Sequence, residues 1–275
     1  MINELRNVRE LPVKIGDEYY NMISDDDYLD YVSNDFEPEM VALFKILAVN
    51  SKNLLDIGAN IGCTALLFSK LAENVWAFEP SPSTFSLLEE NINRSGLSNI
   101  HPQNIGLGAQ QCESTITFAP SNRSGGFISD QTQASKGHAT ETVVIDKLDE
   151  FVCSQGVKDI DFIKIDVEGF KGQVIRGGEA SILKNKPLVV LELNHWCLNA
   201  FQRTSIPDFF DHLRSVFPIL LAVDGMNYLD IHDESDNYNI MYHHIIHMRF
   251  PNIIAAFNEE QLGEFRTKYD HGFKA

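Results

Sequence analysis

Cations are scarce in this chain. Its 275 residues carry 22 Lys and Arg against 39 Asp and Glu, a formal net charge of −17 and an isoelectric point of about 4.8. A surface of that sign repels phosphate backbones and anionic lipid, so neither nucleic acid nor a membrane is an expected partner. Cysteine is scarce as well. Cys63, Cys112, Cys153 and Cys197 stand far apart with no C-x-x-C pair, which reads as reduced residues of a cytoplasmic protein and not as a zinc site or disulfide framework. No apolar run reaches membrane-span length, and the opening MINELRNVRE lacks the apolar stretch of a secretion signal. The H-E-x-x-H motif is absent too. His243, His244 and His247 give an i, i+4 pair, which we read as ordinary half-buried histidines. With 44% hydrophobic and 22% charged residues, the composition suits one α/β domain with extra elements.

What is present centres on residues 53–83, NLLDIGANIGCTALLFSKLAENVWAFEPSPS. A short apolar run ends in Asp56-Ile57, a turn carries Gly58, Asn60 and Gly62, and the spacing predicts a helix over 63–72. A second apolar run over 75–78 ends on Glu79-Pro80. This is strand, tight loop, helix, strand, the first half of a nucleotide-binding βαβ unit. Glu79, at the end of the second strand, is placed to accept hydrogen bonds from ribose hydroxyls. The loop departs from G-x-G-x-x-G, because Asn60 stands where the second glycine belongs. Asp56 would repel a pyrophosphate and attract a cation. On charge the loop therefore suits S-adenosyl-L-methionine, which has a ribose, a sulfonium and an ammonium but no phosphate, better than it suits NAD.

A second group of motifs lies further on: DFIKIDVEG over 161–169 and PLVVLELN over 187–194. Together with DIGANIG and FEP, these resemble the FkbM family of S-adenosylmethionine-dependent methyltransferases from about Phe36-Glu37-Pro38 to Asn194. The resemblance implies a class I methyltransferase fold, a Rossmann-like sheet with helices on both faces and an antiparallel last strand. It implies action mainly on hydroxyl groups of sugars, polyketides or related small metabolites. It also implies that Glu37, before a helix over 37–49, receives the methionine end of the cofactor, and that Asn104, after the third strand, borders the adenine.

The rest of the chain is read around this frame. Residues 1–50 form a lead-in with a helix packing on the core, and 51–275 form the main domain. Residues 119–140 are polar and rich in Ser, Gly and Asn, which predicts a long loop insertion in which Arg123 and Phe127 meet substrate and Gly125-Gly126 act as a hinge. Asp146 is expected to cap a helix over 146–153. The fourth strand ends at Asp166, with Glu168 at the same rim, beyond the carboxyl end of the sheet where ligands bind. These two acids are the candidates for the acceptor side, with His195 as the alternative base. Glu192, in an otherwise apolar strand, needs a partner or a function. Asp166, Glu168 and Glu192 would alternatively hold Mg²⁺ that lowers a hydroxyl pKa. Two other readings stay open: a catalytically silent nucleotide-binding or scaffold protein on the same fold, and an NAD-dependent oxidoreductase.

Overall fold

The computed structural model describes residues 8–132 and 136–273, so the start of the lead-in and positions 133–135 of the expected loop lie outside the described residues. A hairpin, β1 (Arg9–Ile15) and β2 (Glu18–Ser24), precedes α1 (Tyr28–Val32) and α2 (Pro38–Leu47). The core motif follows as β3 (Ser51–Ile57), α3 (Cys63–Phe68), β4 (Ala72–Phe78), α4 (Pro82–Ser95) and β5 (Ile100–Gln103). Next come β6 (Gly106–Leu107), β7 (Cys112–Ala119), β8 (Asn122–Ile128), β9 (Ala139–Asp146) and α5 (Leu148–Gln155). The second half contains β10 (Ile160–Ile165), α6 (Lys171–Gly177), α7 (Glu179–Asn185), β11 (Leu188–Glu192), α8 (His195–Gln202) and α9 (Ile206–Val216). The chain finishes with β12 (Ile219–Asp224), β13 (Asn227–Asp230), α10 (Glu234–His247), β14 (Asn252–Ala256), a 3₁₀ turn over Glu259–Leu262, α11 (Gly263–Lys268) and β15 (Asp270–His271).

Nine strands form the main sheet in the order β15-β13-β12-β14-β11-β10-β3-β4-β5. The five from β11 to β5 are parallel, and alternate residues of each feed opposite faces. Leu54, Val75, Phe162 and Val190 pack on one side, where Phe44 of α2 meets Phe68 of α3 and Phe162 edge-on. Leu55, Phe78, Ile163 and Val189 pack on the other, against α5, α6 and α9. Both faces are therefore covered, as a parallel sheet requires. Strand β14 runs antiparallel between β11 and β12. That gives the Rossmann-like sheet expected from the sequence, in which β12 keeps the direction of the parallel strands and β14 runs against them.

Several boundaries differ from expectation. Helix α3 stops at Phe68, because β4 already starts at Ala72 and the connection turns tightly through Ser69–Leu71. The start of α5 moves to Leu148: Asp146 ends β9, and its carboxylate accepts from the Lys147 N–H. The Gly177-Gly178 pair, a poor helix former, splits the following helix into α6 and α7. Within the expected loop over 119–140, residues 122–128 form a strand. Despite its glycines, β8 pairs with β7, joined by a two-residue turn from Ala119 to Asn122, within a separate sheet ordered β6-β9-β7-β8. The lead-in hairpin is also well built. Val13, Ile15 and Met22 share a core with the main sheet.

Asn91 of α4, 1% exposed, fastens that hairpin to the glycine turn. Its side-chain oxygen accepts from the Ile23 N–H at 2.8 Å, and its amide donates to the carbonyls of Ile23 and Ile61. Asn91→Ala leaves these backbone groups unpaired in the interior and is expected to cost about 1–3 kcal/mol, measurable as a lower urea midpoint at unchanged slope.

Candidate active site

The carboxyl ends of β3, β4 and β10 open into a cleft of about 220 Å³. Its floor is the turn after β3. Gly58 has φ +84°, and a Cβ there would stand 1.9 Å from the Asp166 carbonyl oxygen, so only glycine allows the two strand ends to approach this closely. The Gly58 and Ala59 N–H groups both donate to the Phe78 carbonyl. Asn60 takes φ +49°, a left-handed conformation that asparagine tolerates, and its N–H points at Glu79. Gly62, φ +105°, caps α3 and does not line the cleft.

Glu79 lines the cleft beside this turn and is 7% exposed. One carboxylate oxygen accepts from the Asn60 N–H at 3.1 Å and the other from the Ser81 N–H at 2.9 Å. Burial pushes its pKa up to about 7, against the pull of those two N–H groups. Next to Glu79 the lining turns apolar, with Pro80, Ile105, Leu107, Ile145 and Phe170. Asn104 lies just outside. Its amide donates to the carbonyls of Glu79 and Pro80, so it braces the strand end and leaves the lining to Ile105.

Acids gather on the opposite wall. Glu37, Asp166, Glu168 and Glu192 all line the cleft. Strand β10 stops at Ile165, yet the Asp166 N–H still donates to the Ile57 carbonyl, which holds the turn in place. The Asp166 side chain is 41% exposed. Burial works upward on it, but Lys164, followed by Lys171, holds its carboxyl below the usual carboxylate range. Glu37 sits at the N-cap of α2 with φ +36°; burial and then the Asp166 charge raise its pKa. Glu168 accepts from the Cys197 thiol at 2.8 Å, and burial raises it too.

Two lysines hold this wall together: Lys164, inside the motif read for its acids alone, and Lys171, two residues beyond it. Lys164, its side chain 4% exposed, stands opposite Asp56 across the β10–β3 pair, 3.2 Å from one carboxylate oxygen, and donates to the Gly58 carbonyl at 2.8 Å. Thr64 donates to the other Asp56 oxygen at 2.6 Å. Asp56 is therefore fully buried and spent beneath the turn, and does not reach a ligand's cationic group. Lys171, also fully buried, donates to Glu192 at 2.6 Å and to the Val167 carbonyl at 3.2 Å. That is the partner Glu192 needed. Oppositely charged residues inside apolar strands were the available signal for Asp56 and Lys164; for Glu192, whose partner Lys171 lies on α6, only the lone strand acid was.

Three other expectations change. His195 starts α8 away from the cleft; its ring meets His244 edge-on at 5.1 Å, and its N–H donates to His244 Nε2. His244 is fully buried, with Nδ1 2.6 Å from the Arg249 carbonyl oxygen. Arg123 lines the cleft but is held by its own protein, pairing with Asp25 at 3.0 Å and donating to Ser83. Phe127 stacks on Phe201 at 3.8 Å instead of facing a ligand. As for Mg²⁺, Asp166, Glu168 and Glu192 do not form a cation cage: Lys171 occupies Glu192 and Cys197 occupies Glu168. Among the described residues no three His, Cys, Asp or Glu side chains converge as a metal set, and His243 and His247 stack on each other at 5.9 Å.

The chain is 31% identical over 158 residues to the hexuronic acid methyltransferase AglP of Haloferax volcanii, covering 58% of this chain and 62% of that protein. It is 28% identical over 149 residues to the 2-O-methyltransferase NoeI of Sinorhizobium fredii, covering 48% and 60%. The matches thus span about three-fifths of the length of these relatives. Among solved structures, the methyltransferase FkbM of Methylobacillus flagellatus aligns at 18% identity and a TM-score of 0.44, covering 62% of this chain and 40% of that one. The Methyltransferase FkbM domain profile matches residues 56–228, more than half of the chain and the whole span from the buried Asp56 to β13. This chain belongs to the FkbM methyltransferase family.

Proposed function

We propose that the cleft binds S-adenosyl-L-methionine and that the protein transfers its methyl group to a hydroxyl of a sugar or related small metabolite. The observation that carries this reading is the position of Glu79, a carboxylate fixed by two backbone N–H groups beside a glycine turn, facing a wall of acids across one cleft. Its remaining lone pairs suit a ribose diol. The apolar end at Ile105 and Leu107 suits an adenine ring, and Glu37 suits an ammonium. When bound, the cofactor supplies an electrophilic methyl on a sulfonium. The protein's part is to hold a hydroxyl in line with it, and Asp166 and Glu168 are placed to do so. Asp166, the more ionised of the acids, accepts the hydroxyl proton, while Lys164 and Lys171 keep it charged between turnovers. The names of the two relatives support sugar-like hydroxyl acceptors. Among the described residues no helix is long and apolar enough to cross a membrane. All four cysteines are free thiols, which supports a reducing, cytoplasmic setting.

S-adenosylhomocysteine is expected to raise the melting temperature, because it binds the folded state alone. Glu79→Ala should weaken its binding by roughly 1.5–3 kcal/mol, as for lost hydrogen bonds to a charged group. A shift with NAD and none with S-adenosylhomocysteine overturns the reading.

The raised pKa of Glu79 adds a pH signature. Calorimetric affinity for S-adenosylhomocysteine should fall as pH drops through about 7, where the carboxylate is lost, and Glu79→Gln should flatten that dependence. Stability moves the other way. A carboxyl whose pKa is higher folded than unfolded favours the folded state at low pH, and the benefit is lost as pH rises from about 4.5 through about 7. His212 and His244, whose pKa values are lowered by burial, act with opposite sign. The diagnostic quantity is therefore the wild-type minus Glu79→Gln difference in urea stability, which should decrease across that window.

Asp166→Asn is expected to reduce turnover about 10²- to 10⁴-fold, the range for losing a general base, with cofactor affinity changed little. Single-turnover assays with labelled cofactor and fractionated metabolites measure the first, and calorimetry the second. Unchanged turnover in a folded variant would remove Asp166 from the chemistry.

A further inference from the structure

The arginines of this acidic protein are nearly all spoken for. Of the eight that are described, Arg9, Arg94, Arg123, Arg214, Arg249 and Arg266 each make an ion pair. The two with no acidic partner among the described residues are Arg176 and Arg203, and both line the same cavity of about 130 Å³ between α6, α8 and α9. It shares no lining residue with the cleft.

A third group points the same way. His212, on α9, also lines the cavity, and its Nδ1 is buried without a hydrogen-bond partner. Burial, then the neighbouring Arg176 charge, lowers its pKa, so the ring is neutral at physiological pH. A Cβ on Gly172 would sit 3.5 Å from Arg176 Nη1 and 3.6 Å from His212 Nδ1. Both groups thus lie within contact distance of one bare stretch of α6 backbone. Gln173, Gln202, Thr204 and Asp208 complete the polar lining. Two acids are near. Asp208, itself part of the lining, accepts from the Ser205 hydroxyl at 2.6 Å, and Glu179 acts on His212 from α7. Neither makes an ion pair with an arginine here.

We propose that this cavity is a second binding site, for a phosphate-type oxyanion held by Arg176, Arg203 and His212, either as a free ion or as the phosphate ester of a larger ligand. Guanidinium forks match the paired oxygens of such a group, and the buried imidazole nitrogen supplies one directed hydrogen bond. The site does not depend on the methyl-transfer reading.

The test is calorimetric titration of the intact protein with inorganic phosphate and with methyl phosphate at 0.15 M NaCl, roughly physiological ionic strength, against Arg176→Gln/Arg203→Gln. The expected result is saturable binding by the wild type and at least about tenfold weaker binding by the double variant, the scale of losing charged hydrogen bonds. Affinity for S-adenosylhomocysteine should be unchanged in that variant. Tighter binding of methyl phosphate assigns the site to an ester; tighter binding of phosphate assigns it to the free ion. If the double variant does not fold, Arg203→Gln alone, at the exposed end of α8, replaces it. No saturable binding of either probe by the wild type, or equal binding by the variant, overturns the proposal.

Discussion

Lys164 spans the two central strands beneath the cleft, facing Asp56 across the register and donating to the Gly58 carbonyl. Taking an ammonium and a carboxylate out of water costs several kcal/mol for each ion, and leaving one of such a pair alone typically costs about 3–5 kcal/mol. Here the cost is offset by geometry. The ammonium also meets Asp166, and Thr64 takes the second Asp56 oxygen. One buried cation thereby sets three features at once: the direction of the glycine turn, the place of the Asp166 carboxylate and the charge state of that carboxylate. The Asn60 N–H and Glu79 follow from the turn, and the acid wall follows from Asp166.

The frame of the protein was legible because its signals are local. Gly58 and Gly62 bracket a turn between apolar runs, Pro82 and Gly96 bracket α4, and each central strand is a short apolar run ended by an acid. Glu79, Asp166 and Glu168 were readable for the same reason, Glu37 through the resemblance alone, and the four share one cleft. What was illegible depends on partners far away in the chain. Asp56 looks available until Lys164, over a hundred residues later, is seen to occupy it. Residues 122–128 carry loop composition, and their strand character comes wholly from pairing with β7. His195 has suitable chemistry, but α8 turns it toward His244.

The β7–β8 hairpin shows how such distant ties shape the cleft. Phe118, Ser124, Gly126 and Ile128 lie along it. One end is anchored to the lead-in, where Asp26 accepts from the Arg123 N–H and Ser121 from the Asp27 N–H. The other is anchored to α8, through the Phe127–Phe201 stack and the Ser129 hydroxyl on the Phe201 carbonyl. Gly125 and Gly126 lie within β8, between these two anchors. The cleft is roofed by a strand tied at both ends.

The reversed strand β14 has a consequence for how the protein is made. It lies between β11 and β12, pairing with both, although it is nearly the last element in sequence. Until a ribosome has released residues 252–256, the parallel core ends at an open edge formed by Val189, Val190 and Leu191, and β12 has no neighbour on its inner side. An apolar strand with unpaired backbone groups is a template for other chains. The sheet therefore cannot close before residues 252–256 have been made, and until then this edge stays open to other strands.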